Sequence, residues 1–271
     1  MKLRLRISIV CAATLSAVFC FTSMPANAQS GSAAQHSVAA KDKSSAIPRL
    51  PDGKPDFNGV WDHPRTSDVT KTFNGCGSQT PGCKQEGAGE LPYTEAGLKQ
   101  WKDVEGRFDY SAYCLPWGYT RAWGTEYPVE IMQTPARVAI LFESNNIFHV
   151  IPTDGRDHPK DLEPSWMGNS VGKYEGDTLV VDSMGYNGKT WIDTAEHPMS
   201  DAMHVTERYR LIDADHIAYE VTWEDPKTYT RSFKNSRVFS RMKPGSELME
   251  YWCMENNKDL LEGHLKKRVA P

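Results

Sequence analysis

Regular alternation of apolar and polar residues begins only after Pro128. Residues 129–132, 137–143 and 147–151 are short runs rich in β-branched and aromatic side chains, and Ser144-Asn145-Asn146 between the last two predicts a hairpin turn. Residues 170–174 and 178–183 flank Glu175-Gly176-Asp177, where glycine supplies a positive φ and aspartate a local hydrogen bond for a tight turn. Runs at 205–212, 217–223, 229–239 and 248–253 follow, the first three separated by Asp213-Ala214-Asp215 and Asp225-Pro226-Lys227. Nine expected strands with short turns and no helix between them predict an all-β fold. An antiparallel meander closing into a barrel removes exposed edges, with a β-sandwich as the alternative.

Before Pro128 the pattern is different. One helix is expected over 94–104, with Thr94 as N-cap and Leu98, Trp101 and Lys102 at helical spacing. In the Pro/Gly-punctuated stretch 48–61, Phe57, Val60 and Trp61 are expected to dock onto a core formed elsewhere, and 63–92 reads as surface loop. Residues 29–47 have almost nothing to bury and read as a disordered linker. Ahead of them Lys2, Arg4 and Arg6, an apolar run over 7–21 and Ala26-Asn27-Ala28 have the order of a secretory signal, cut after Ala28. A single domain is expected over 48–271.

Charge narrows the partners. Losing the leader removes three of 31 basic residues and none of 35 acidic ones, leaving a net charge of about −7. That argues against nucleic acid and an anionic membrane, and the leader's apolar run is too short for a membrane anchor. The expected location is the periplasm or outside the cell. Cys76, Cys83, Cys114 and Cys253 remain after cleavage, and pairing as Cys76–Cys83 and Cys114–Cys253 is favoured among the three possibilities.

Strand alternation also selects candidate chemistry. Val205, Glu207, Tyr209 and Leu211 share one face, as do Ile217, Tyr219, Val221 and Trp223. Glu207 therefore falls among core-facing neighbours, where a carboxylate needs a partner or a raised pKa. Arg231 and Arg237, on the aromatic-bearing face of the next strand, are the partners within reach. The segment 154–208 contains long loops rich in His, Asp, Trp, Gly and Pro around two strands. Within them an acid/base centre is expected, with His158 and His204 as proton-transfer groups and Asp161, Asp193 and Glu207 as carboxylates. Trp166, Asn169, Trp191, Tyr209 and Arg231 would line the substrate site.

Two other chemistries fit less well. His158, His197 and His204 lack a zinc-ligand spacing, and on a strand His204 and Glu207 face opposite ways. Ser200 has no nucleophile setting. Gly168-Asn169-Ser170-Val171-Gly172 matches the string of a serine elbow, but a hairpin follows it instead of a helix. Neither a metal nor a cofactor is expected.

The phrases PDFNGVW, CLPWGYTR, IMQTPARVAILFE, DGRDHPKD, SWMGNSVGKYEGDTLVVDSMGYN, TWID and HVTERYR resemble a large, mostly uncharacterised family of exported bacterial proteins, over residues 48 to 255. The resemblance implies a lipocalin-like β-barrel and no particular reaction. Asn169 and Met199 stand where the family pattern would have His. The function expected is a cofactor-independent lyase, isomerase or hydrolase acting on a small aromatic or hydrophobic compound in the barrel. The alternative is a non-catalytic periplasmic carrier with the same cavity.

Overall fold

Nine antiparallel strands carry the alternation into three dimensions in the computed structural model, which describes residues 47–70, 91–103, 108–255 and 257–264. They are β1 (Gly59–Asp62), β2 (Val129–Thr134), β3 (Arg137–Phe142), β4 (Ile147–Pro152), β5 (Asn169–Glu175), β6 (Thr178–Met184), β7 (His204–Leu211), β8 (His216–Glu224) and β9 (Phe233–Arg241). Their order in the sheet is β4-β3-β2-β1-β9-β8-β7-β6-β5, which curls into a nearly closed barrel.

The outermost strands, β4 and β5, meet through side chains instead of a backbone ladder. His149 Nε2 and Ser170 Oγ share a hydrogen bond at 2.6 Å, and Ser170 Oγ continues to Ser183 Oγ. Gly172 makes this approach possible, since a Cβ there would lie 2.9 Å from Ile151 Cγ2.

β1 was not among the expected strands. It inserts between β2 and β9, with Trp61 opposite both Val129 and Arg241. Four residues after a proline-rich stretch are too few to show a period, so its pairing depends on partners 68 and more residues away. The predicted strand at 248–253 does not form. That segment is irregular, with Met249 and Trp252 exposed, and is held by the Cys114–Cys253 disulfide and by Met249 N donating to Glu143 Oε2 at 2.8 Å. β9 starts at Phe233, later than the expected 229, because Tyr229 is diverted to a bridge with Tyr93 and its hydroxyl donates to Pro198 O.

Thr94 caps α1 (Glu95–Lys102) as expected, its Oγ1 accepting from Gly97 N at 3.0 Å. The expected end of that helix at Val104 and the Cys76–Cys83 pair lie outside the described residues. Within the stretch expected to be surface loop, His63, Thr66 and Val69 are buried, and Ile47, placed in the linker, packs against the core. Among the described residues no helix is long and apolar enough to cross a membrane.

Trp123, which follows the short helix α2 (Tyr119–Ala122), fills the barrel. Its indole stacks on Phe239 at 5.2 Å and meets Phe142 edge-on at 4.9 Å. Core aromatics of this size each contribute a large share of the burial energy, and paired rings add roughly 0.5–1.5 kcal/mol.

Candidate functional site

Period two puts Glu207 inside the barrel and His204, three residues earlier on β7, outside it. Glu207 is fully buried. Its Oε2 accepts from Tyr119 at 2.5 Å, and its Oε1 from Tyr209 at 2.9 Å and Tyr219 at 2.7 Å. Burial raises its pKa above the ordinary carboxylate value, opposed by the three tyrosine hydrogen bonds and by Arg237. The tyrosines are pushed well above their usual range by burial and then by the nearby carboxylate. Arg237 is the arginine that turns inward: it donates to Trp123 O, and its guanidinium sits 5.1 Å from the Tyr219 ring. Arg231 is exposed, ahead of β9, and takes no part. Tyr119, Thr120, Trp123, Tyr219, Trp223 and Arg237 are among the walls of a gap beside Glu207, made of clefts too narrow for a whole water.

The outer face carries a different cluster. His204 Nε2 is hydrogen bonded to Asp182 Oδ1, and its Nδ1 lies 3.4 Å from Glu224 Oε2. Burial disfavours the His204 imidazolium, but hydrogen bonding and attraction to Asp182, then Glu224, outweigh it and raise the pKa. The connection between β4 and β5 brings His158 onto the same carboxylate, its Nε2 at 3.9 Å from Asp182 Oδ1. His158 Nδ1 is fixed by Asn169 Oδ1 at 2.7 Å, while Nε2 is covered and has no hydrogen-bond partner. With Asn169 Oδ1 as acceptor, the hydrogen is assigned to Nδ1 and Nε2 offers a lone pair.

Asp193 belongs to neither group. Buried under α1, its Oδ2 accepts from Val69 N at 2.7 Å and pairs with His197 Nδ1 at 2.6 Å. His197 stacks on Trp101 at 5.5 Å. One ligand atom each of Asp68, Asp193 and His197 lies within 4.8 Å of the others, close enough for a cation. Asp193 Oδ2 is already committed twice, to Val69 N and His197 Nδ1, which makes this a clamp between loops.

The expected acid/base set is therefore divided. His158, His204 and Asn169 come together; Glu207 and Asp193 do not join them. Of the expected lining residues, Tyr209 serves Glu207. Trp191 is buried under the Arg121 guanidinium at 5.0 Å, and Trp166 is half-buried against Tyr110 at 5.3 Å. Asp161 is exposed, Ser200 Oγ donates to Asp225 at 2.7 Å, and Met199 is buried with its sulfur 3.5 Å from Thr120 Oγ1.

Sequence reasoning missed Asp182, Tyr119 and His149. Asp182 had a usable signal: in 178–183 it sits out of phase with Leu179, Val181 and Ser183, the alternation that assigned Glu207. Tyr119 and His149 carry no such mark.

No family model matches the chain, and no curated protein is significantly similar to it. Fold and sites together define an antiparallel β-barrel protein with a hydrogen-bonded interior acid and a histidine–carboxylate cluster on its outer face.

Proposed function

We propose that the protein is a cofactor-independent acid/base enzyme of the lyase, isomerase or hydrolase type, with His158, Asp182 and His204 as its centre. One observation carries the reading: two histidines share one carboxylate, and only one of them has a free lone pair. His158 Nε2, its tautomer held by Asn169, is the base that takes a proton from the substrate. His204, whose protonated form Asp182 and Glu224 favour, is the acid that returns a proton to the atom receiving the electron pair. A proton passing between the histidines by way of Asp182 or solvent restores the starting state. Asp182 is 45 % exposed, so substrate approaches from the solvent side and parts His158 from it on binding. Well-placed proton transfer contributes about 10²–10⁴-fold to a rate.

The substrate class proposed is a small aromatic or hydrophobic compound, with Trp166 on the same connection as His158 as its apolar contact. The Cys114–Cys253 disulfide and the signal-like leader support a place outside the cytoplasm, in the periplasm or beyond, alongside the exported proteins the chain resembles.

The test is consumption of a panel of such compounds in deuterated water, read by mass spectrometry as substrate loss or deuterium uptake. The wild type is expected to convert at least one compound, and His158→Gln and His204→Gln to lose at least about 100-fold of that rate. Undiminished conversion in both variants, or none by the wild type, overturns the proposal.

A further inference from the structure

On the other side of the sheet, the barrel interior holds more hydrogen-bond donors than the protein satisfies. Trp223 Nε1, Arg237 Nε and both amide atoms of Asn235 are buried without a partner. All three residues are at least 97 % buried. The ladder brings them together: Val221 of β8 pairs with Asn235 of β9, between the pairs Trp223↔Phe233 and Tyr219↔Arg237. Trp223, Val221, Tyr219 and Arg237 are walls of the gap beside Glu207, and Asn235 faces Val221 among them. A buried donor left unmade carries its full desolvation cost, so a native core rarely keeps three in one place.

We infer that this end of the barrel binds a small molecule through a carboxylate group. Tryptophan and arginine can only donate, so the partner missing from Trp223 and Arg237 is an acceptor; Asn235, with its amide N–H and its carbonyl both unpartnered, can turn its N–H toward the same acceptor, and Arg237 adds positive charge. Glu207 does not supply that acceptor: its hydrogen bonds come from Tyr119, Tyr209 and Tyr219, and Trp223 Nε1, Arg237 Nε and Asn235 Nδ2 reach none of its oxygens. A carboxylate has two oxygens with four lone pairs, so the number of its acceptor sites is enough for the Trp223, Arg237 and Asn235 donors. The clefts are too narrow for water, so binding requires the aromatic walls to part around the ligand. Nothing in this site depends on the reading of His158 and His204.

The test uses sodium formate, acetate and benzoate at constant ionic strength, balanced with sodium chloride, on the full mature protein. Tryptophan fluorescence and the melting temperature are recorded together. At least one carboxylate is expected to give a saturating change in both that chloride does not. Trp223→Phe keeps the ring and removes one donor, and should weaken the midpoint at least about tenfold. Asn235→Asp, which sets a negative charge against the ligand, should abolish the response. No saturable response to any of the three salts overturns the inference, as does the same midpoint in wild type and Trp223→Phe.

Discussion

His204 and Glu207 stand three residues apart on β7 and live in opposite environments. Glu207 is sealed in the barrel with three tyrosine hydroxyls on its oxygens; His204 lies at the surface of the sheet, sharing a carboxylate with a histidine from a loop. A buried carboxylate that has filled its hydrogen bonds rigidifies a core, and its removal leaves other polar groups unpaired. A partly buried histidine pair on the outer face, one ring nitrogen of which has no hydrogen-bond partner, adds little to stability and is the group to which we assign proton transfer. Burial by itself therefore does not mark a reactive acid: Glu207, fully buried, is satisfied by three tyrosine hydrogen bonds.

The interior side of the comparison is broken by Glu207→Ala. Three tyrosine hydroxyls lose their partner and Arg237 a nearby opposite charge, and about 3–5 kcal/mol of stability is expected to go, measured by urea unfolding. A loss below about 1 kcal/mol would show that the tyrosines find other partners. Tyr119→Phe removes one hydrogen bond to the same acid and is expected to cost about 1.5–3 kcal/mol.

Acid sharpens the contrast further. Burial lowers His149 to about 4, and burial followed by Arg237 lowers His63 to about 3. Both are neutral in the folded barrel and protonate near 6.5 when unfolded, so their contribution is complete above 6.5 and falls as the pH drops toward the folded values. The slope is about 1.4 kcal/mol per pH unit for each histidine. Glu207 has the opposite sign: its raised pKa lets the folded state take up a proton first, offsetting part of the loss as the pH approaches 4.5. His149→Gln should flatten unfolding free energy against pH between 6.5 and 4 by one histidine's share. An unchanged slope would mean His149 is protonated in the folded state.

The smallest effect belongs to the outer face. His204 has a raised pKa, so its stabilising contribution is present below about 6.5 and disappears as the pH climbs through the folded value. It is a partly exposed pair screened by solvent, and His204→Ala should change stability by less than about 1 kcal/mol. A larger loss would make the pair a structural strut.

Much of this was legible along the chain. Alternation over 205–211 placed Glu207 inside and His204 outside, the Thr94 cap started its helix, and Cys114 found Cys253. What failed depended on distance along the chain. β1 becomes a strand only because β2 and β9 flank it, and Tyr119 reaches Glu207 across 88 residues from a four-residue helix. The expected centre joined His204 to Glu207 although their spacing on a strand already separates them. Unusual residues dense in sequence were read as one site, and the fold distributes them over two faces and a loop clamp.

The division of labour across β7 is tested most directly by measuring turnover and unfolding free energy together in Asp182→Asn and Glu207→Gln. The account predicts that Asp182→Asn loses at least about 100-fold in turnover while stability changes by less than about 1 kcal/mol, and that Glu207→Gln loses about 1–3 kcal/mol while turnover stays within about threefold. The reverse outcome, a fast Asp182→Asn and a stable but inactive Glu207→Gln, would return the chemistry to the barrel interior and contradict it.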